Sequence, residues 1–284
     1  MSINNKNLNK AKRDKIDEFY TLYEDVEKEM KHWKDYLKGK IVYCNCDGEQ
    51  SQFVRYFKNY PDIKELIYTS NDFRLPENIE NLKRADVIIT NPPFSLFREY
   101  IDTLYKYNKD FIIIGNMNAI TFKNIFPHIK DGTLFVNEFD TSMTFLLPDN
   151  ATKYNKEIDG KKYASVSISW YTNILSREKK ILTLTKNYDP KLYPKYDNYD
   201  AINVNKIKDI PKDYCGVIGV PITIFSYHKG GKSILLDGNE YKLIGTIKTH
   251  DFDDIGYLHN TGTYKDPPLI NGKELYTRLL IQKI

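Results

Sequence analysis

The stretch ADVIITNPPFSLFREYI, residues 85–101, decides the fold. Val87, Ile88 and Ile89 form an unbroken β-branched run of the kind found in strands buried on both faces of a parallel sheet. Proline has no N–H to give to a ladder, so the strand must end at Thr90. Asn91, Pro92, Pro93 and Phe94 then make a stiff connection at its C-terminal end before a helix resumes. In open α/β sheets that end of the strands is where ligands bind.

Working outward, the neighbouring segments alternate in type. KIVYCNCD (40–47) and IKELIYT (63–69) read as strands on either side of a helix at 51–60. A short helix at 77–84 precedes the 86–90 strand, and a helix at 95–107 leads to the strand FIIIG (111–115). Strands alternating with helices predict a doubly wound, mostly parallel α/β sheet. Upstream, Thr21 followed by Glu24 reads as a capping box for one amphipathic helix ending at Gly39, with Leu22, Val26, Met30, Trp33 and Leu37 as its core stripe. From about residue 133 the rhythm changes to GTLFVNEF, MTFLLPD and ASVSISWYTNIL, strands expected to close the sheet with an antiparallel hairpin. Past Arg177 come Tyr-, Lys- and Pro-rich loops and short strands split by KGG and DGN turns. A domain boundary is expected near residue 178, with 1–178 as the catalytic domain and 179–284 as a smaller β-rich region.

At 284 residues and 41% hydrophobic content the chain is long enough for an ordinary core. Its longest apolar runs fall far short of the roughly 20 residues that span a bilayer. The start, MSINNKNLNKAKRDK, lacks the apolar centre of a secretory signal, which points to a cytoplasmic protein with a basic leading segment. Three cysteines, Cys44, Cys46 and Cys215, give no disulfide framework, and a lone C-x-C pair is too few ligands for a metal. His250 and His259, near Asp251, Asp253 and Asp254, read as loop residues, so no metal site is expected. Of 42 basic and 38 acidic residues, 1–178 carry 26 of each, so 179–284 hold the whole net charge of +4. An excess of that size is compatible with a phosphate backbone as partner.

The order [NDS]-P-P-[FYW] at a strand end resembles the signature of methyltransferases that modify an exocyclic or amide nitrogen. An adenine N6 amine gives its lone pair to the ring and is a poor nucleophile. The Asn91 side-chain oxygen and the Pro92 carbonyl can accept its two N–H bonds and draw the nitrogen towards tetrahedral geometry, freeing the lone pair. The prolines hold these acceptors rigid, and Phe94 offers a face on which a flipped base stacks. S-adenosylmethionine is then expected against the preceding strand ends. The usual Gly-x-Gly turn is absent, since YCNCDGEQSQF (43–53) has a single glycine. Asp47 is the candidate for the cofactor's ammonium or ribose, with capping of the next helix as its competing role. Asp72 and Phe73, after the second strand, are candidates for a ribose hydroxyl or the adenine amine and for covering the ring, or else form a plain turn.

DEFYTLYEDVEKEM (17–30), YCNCD (43–47), DFR (72–74), ADVIITNPPFSLFREYI and FIIIGNMNAITFKNIFP (111–127) resemble the EcoRI-type family of adenine-specific DNA methyltransferases. GVPITIF (219–225) and NGKELYTRLLI (271–281) resemble later landmarks of that family, so the likeness covers most of the chain. It implies a Rossmann-like S-adenosylmethionine core, a double-stranded DNA substrate, base flipping and a C-terminal target-recognition region. It assigns Phe19, Tyr20 and Thr21 to the methionine end of the cofactor. Cys44, Asn45, Cys46, Asp47, Asp72 and Phe73, with Asn91, are further cofactor contacts, and Asn91, Pro92, Pro93 and Phe94 form the catalytic loop. Lys191, Lys195, Lys229 and Lys232 of the basic third are the candidates for DNA phosphates. Such enzymes work beside a cognate restriction endonuclease or alone, and the sequence leaves both open; it leaves the oligomeric state open too, with a monomer favoured.

Two other readings stand beside this one. Glutamine-N5 methylation of protein and some RNA methylation use the same four residues, though those relatives carry the glycine-rich turn. A catalytically silent DNA-binding module is the third, against which the intact NPPF weighs. Cytosine C5 methylation needs a thiolate in a Pro-Cys context, and no cysteine here follows a proline.

Overall fold

The computed structural model describes residues 20–136, 143, 145–146, 156–164, 168–175, 182–227, 233–236, 238–247 and 268–284. The chain divides into two compact units, Met1–Met117 with Phe139–Ile174, and Asn118–Glu138 with Leu175–Ile284.

In the first unit, β1 (Tyr20–Thr21) precedes a sheet built from β2 (Ile41–Asn45), β3 (Glu65–Thr69), β4 (Val87–Thr90) and β5 (Asp110–Asn116). β2 pairs in parallel with both β3 and β4, and β4 with β5. The sheet is therefore mixed but mainly parallel, in a mixed α/β unit. Side chains alternate between its faces. Val42, Cys44, Val87, Ile89, Ile112 and Ile114 share one face with Val26, Met30, Trp33 and Leu37 and with Phe53, Val54 and Phe57 of helix Gln52–Lys58. The opposite face carries Ile88, Phe111 and Ile113, and helix Phe97–Lys106 packs there through pairs such as Tyr105–Phe111. Burial on both faces is why VIIT and FIIIG are apolar without a break. At Gly115 an added Cβ would come within 2.4 Å of the Phe97 ring, so the glycine lets that ring lie directly on β5.

Three expectations change in detail. Thr21 is a strand residue, Leu22 occupies the N-cap position with no side-chain cap bond, and the capping box does not form. The amphipathic segment is not one α-helix: it runs as Tyr23–Met30, a 3-10 turn at Lys31–Trp33, then Lys34–Leu37. Its buried stripe of Val26, Met30, Trp33 and Leu37 survives the change of winding. After β6 (Phe135–Val136) of the second unit, β7 (Phe145–Leu146) does not join the main sheet but pairs with β1 and with β9 (Lys161–Ala164), itself paired with β8 (Lys156–Ile158). β10 (Ile168–Thr172) does add to the main sheet, antiparallel to β5. The strands that the first unit gives to this sheet thus stand in the order β3-β2-β4-β5-β10.

The second unit is mostly β. β11 (Ile202–Asn203), β12 (Val217–Pro221), β13 (Ser233–Leu236) and β14 (Asn239–Ile247) are followed by a two-stranded ribbon of β15 (Leu269–Ile270) and β16 (Lys273–Glu274). β17 (Arg278–Lys283) then inserts between β12 and β14, giving the order β11-β12-β17-β14-β13. Among the described residues no helix is long and apolar enough to cross a membrane.

Candidate active site

The order β3-β2-β4-β5 fixes where the site falls. The chain leaves β2 towards β3 on one side and returns to β4 on the other, so the strand order reverses between β2 and β4. In open α/β sheets the crevice at the C-terminal ends of such a pair takes the ligand. β2 ends at Asn45 and β4 at Thr90, which puts the CNCD turn and the NPPF loop side by side.

Cys46 follows β2 with φ 76°. Glycine reaches this left-handed region freely, whereas for a residue with a Cβ it costs about 1–3 kcal/mol, and such strain concentrates at functional sites. A left-handed step therefore persists in the turn without the glycine that usually makes it. Burial and the nearby Asp47 and Asp72 carboxylates push the Cys46 thiol pKa up, so it stays protonated. Cys44 points the other way, into the apolar cluster, and its thiol is also pushed up by burial. All three cysteines are free.

Asp47 is the hub. It is 7% exposed. Ser51 Oγ donates to its Oδ1 at 2.6 Å, and Thr90 Oγ1 lies 2.5 Å from its Oδ2. The backbone N–H of Asn91 donates to the same carboxylate. Burial nevertheless outweighs these three bonds and pushes the carboxyl up to about 6. Among the described residues no basic side chain contributes to its environment. The helix-capping role falls to Ser51, whose Oγ accepts from Phe53 N at 3.1 Å.

The catalytic-loop candidates are gathered here. Asn91 Nδ2 reaches Thr21 Oγ1 at 3.4 Å, which brings a residue of β1 to the loop across 70 positions of sequence. Pro92 is buried and Pro93 half-buried. Phe94 opens a 3-10 turn, Phe94–Leu96, and packs half-buried against the apolar cluster of the sheet. Tyr20 shares β1 with Thr21, and Phe19 lies outside the described residues.

Beyond β3, Asp72 is exposed and gripped by Arg74 through Nε at 2.9 Å, Nη2 at 2.6 Å and the backbone N–H at 2.9 Å. Those bonds hold its carboxyl below the usual range. Phe73 is buried edge-on against Tyr100, with ring centroids 4.8 Å apart, so its ring is a packing element beneath the loop. Sequence reasoning passed over Ser51, Thr90 and Asn78. The last, fully buried in helix Pro76–Arg84, pins this loop by donating to Asn71 Oδ1 at 2.6 Å and to the Asp72 carbonyl at 2.7 Å. The one usable signal was positional: Thr90 ends an apolar run and Ser51 stands at a helix start.

In the second unit Lys191 and Lys195 are exposed, the latter 3.7 Å from Asp200. Lys229, Lys232, His250 and His259 lie outside the described residues. Among the described residues no group of His, Cys, Asp and Glu is arranged to hold a metal ion.

A family model described as "Adenine-specific methyltransferase EcoRI" matches residues 7–70 and 58–284. The Type II methyltransferase M.EcoRI of Escherichia coli is 37% identical, over 98% of this chain and 96% of that relative. The Type II methyltransferases M.MgeORF184P of Mycoplasma genitalium and M.MpnI of Mycoplasma pneumoniae are 33% and 32% identical, each over 97% of this chain and 98% of the relative. No solved structure matches the chain.

Proposed function

Since the chain belongs to the EcoRI family of adenine-specific methyltransferases and is a DNA adenine methyltransferase, we propose that the crevice between the ends of β2 and β4 is its active site, in a Rossmann-like core that uses S-adenosylmethionine. One observation carries this: Asp47 binds both Thr90 and Asn91, tying the turn on the cofactor side to the NPPF loop.

The residues present suit that cofactor. Asp47 is a buried carboxylate held by hydroxyls and an amide, with no cation beside it among the described residues. A ligand bearing an ammonium and a sulfonium would supply the missing charge. Asp72 offers an exposed carboxylate of the kind that binds ribose hydroxyls or an adenine amine. Thr21, Asn45, Cys46, Asp47 and Asp72 are the residues that would hold it, Asn91 taking part through the backbone N–H that it gives to Asp47 and not through its side chain, with Phe19 and Tyr20 beside Thr21 in sequence and Cys44 and Phe73 packed beneath. When bound, S-adenosylmethionine supplies an electrophilic methyl group.

The chain's own residues prepare the acceptor. Asn91 Oδ1 and the Pro92 carbonyl accept the two N–H bonds of an extruded adenine and localise the lone pair on N6. Pro92 and Pro93 keep the two acceptors from rotating away, and Phe94 stacks on the base. The loop carries no nucleophile, so transfer to N6 is direct, without a covalent enzyme intermediate.

Residues 1–178 would bind cofactor and perform the chemistry, while 179–284 would recognise double-stranded DNA, with Lys191, Lys195, Lys229 and Lys232 on phosphates. The Type II naming of the relatives supports a restriction-modification role; a cognate endonuclease as partner, a monomeric state and a cytoplasmic location complete the proposal. The test is to incubate the protein with DNA and S-adenosylmethionine carrying a labelled methyl group, then sequence the modified bases. Wild type should deposit N6-methyladenine within one short sequence, and Asn91→Ala should leave the DNA unlabelled while still binding cofactor. Label on cytosine, or undiminished labelling by the variant, would overturn the reading.

A further inference from the structure

Arg278, the first residue of β17, is 8% exposed and has no carboxylate partner among the described residues. Each hydrogen bond it makes there is to a neutral oxygen. Nε donates to Asn203 Oδ1 at 3.2 Å, Nη2 to Asn205 Oδ1 at 3.2 Å, and Nη1 to the carbonyls of Tyr276 and Thr277, both at 3.3 Å. Asn203 Oδ1 also accepts from Tyr196 Oη at 2.8 Å, and Asn203 Nδ2 donates to Asn205 Oδ1 at 3.0 Å. Gly219 of β12 leaves room for this arrangement, because a Cβ there would sit 2.1 Å from the Tyr196 hydroxyl oxygen.

Arginine only donates, so the atoms of Asn203 and Asn205 that face it must be oxygens, and neither amide can be turned over. The consequence falls on Asn205, which is exposed. Its Oδ1 is occupied twice, by Arg278 and Asn203, while its Nδ2 makes no hydrogen bond among the described residues. An asparagine that could ordinarily donate and accept is thus left, on an exposed residue, with only its donor to offer. The same guanidinium holds the carbonyl of Tyr276, a residue 84% exposed. One guanidinium thus holds both the side-chain amide of Asn205 and the backbone carbonyl of Tyr276.

We infer that Asn205 is a specificity-determining residue that reads an acceptor on a base edge of the target DNA, with Arg278 as the positioning residue that fixes its polarity. This rests on the reading that the second unit holds the recognition region. Free asparagine suits adenine, giving one bond to N7 and taking one from N6. A donor-only amide does not. It suits a base presenting acceptors in the major groove, guanine through O6 and N7 or thymine through O4, and disfavours the amines of cytosine and adenine.

The experiment uses the full-length protein and duplexes in which each base pair of the methylated sequence, once identified, is replaced in turn. Asn205→Ala is an exposed truncation, and it should erase discrimination at a single base pair, by roughly 5- to 100-fold in relative kcat/KM, while the other positions keep theirs. Asn205→Asp, which turns the donor into an acceptor, should move the preference at that pair towards a base carrying an amine. Arg278→Lys keeps the charge but not the fork, and should loosen the same pair and no other. A uniform loss on all duplexes would mean a role on phosphate and overturn the proposal, as would unchanged discrimination. If discrimination is unchanged while removal of the exposed lysines still weakens DNA binding, Asn205 is wrong and the recognition region stands; if neither changes, both are wrong.

Discussion

Thr90 Oγ1 stands 2.5 Å from Asp47 Oδ2, so the end of the strand that carries the NPPF loop is bonded to the acid that follows the neighbouring strand. The backbone N–H of Asn91 reinforces the link. Whatever shifts the Asp47 carboxylate therefore bears directly on the NPPF loop. On the proposed reading, this link would couple cofactor binding to base positioning.

The first prediction concerns pH. Burial raises the Asp47 carboxyl in the folded protein to about 6, above its unfolded value of roughly 4. The fold then binds the extra proton between these values, so this group's contribution to stability is complete below about pH 4 and is lost as the pH rises through about 6. A cationic ligand selects the ionised form and reverses the sign. Affinity for S-adenosylmethionine should fall about tenfold per unit as the pH drops below about 6. Asp47→Asn should bind weakly at every pH with a flat profile. Calorimetry from pH 5 to 8 decides it: parallel profiles for the two proteins would remove Asp47 from the cofactor site.

Asn91 should be catalytic in the plain sense of touching the reacting amine. Its replacement by alanine should cost roughly 100-fold or more in turnover, as loss of a positioned polar group does. Cofactor affinity and melting temperature should change little, since the backbone N–H that serves Asp47 is kept. A variant that loses cofactor as well as turnover would show that the side chain works through Thr21 and β1 instead.

For Phe94, stacking on a base is worth about 1–3 kcal/mol. Phe94→Ala should depress kcat/KM well below Phe94→Tyr or Phe94→Trp. Mispairing the target adenine lowers the extrusion cost, so a mismatched duplex should recover part of the alanine variant's loss. Equal losses on matched and mismatched DNA would assign Phe94 to core packing alone, the role its place against the apolar cluster already gives it.

How far the sequence alone reached depended on whether the cause of each feature was local. Val87 to Thr90 and Phe111 to Gly115 were legible because burial on both sheet faces writes itself into consecutive residues, and the prolines mark the strand end. Thr21 misled: Thr-x-x-Glu is a good local cap, but β1 pairs with β7 and Thr21 is turned to Asn91. The left-handed Cys46 was illegible, because its residue type argues for an ordinary backbone and only the surrounding structure holds φ positive. The bond between Asp47 and Thr90 spans 43 residues and that between Arg278 and Asn205 spans 73. No window along the chain contains either.

Gly115 offers a test of the packing that supports the loop. A Cβ there would meet Phe97 at 2.4–2.5 Å and Tyr171 at 3.0 Å, all within the sheet and the helix after NPPF. Gly115→Ala should destabilise the protein by about 1–3 kcal/mol through overpacking. Trimming the ring with Phe97→Leu in the same chain should return part of that loss. Denaturant unfolding of the single and double variants measures both effects, and a fully additive pair would place the strain elsewhere.

The last prediction addresses the division of labour. Residues 1–178 are charge-neutral overall and carry the strand-end site, whereas 179–284 hold the whole net +4. Lys191 and Lys195 are exposed, and the 3.7 Å pair with Asp200 is too open to hold Lys195 back from a phosphate. Neutralising Lys191, Lys195, Lys229 and Lys232 together should flatten the salt dependence of DNA binding, by about 0.9 in the log–log slope for each phosphate left without its lysine. Cofactor affinity should hold steady, because the residues that would hold the cofactor all lie within 1–178. The comparison is a titration of DNA binding against salt for wild type and the fourfold variant, beside cofactor calorimetry on both. An unchanged slope, with DNA binding abolished instead by charge removal within 1–178, would move the recognition surface into the first region and leave the basic third without that role.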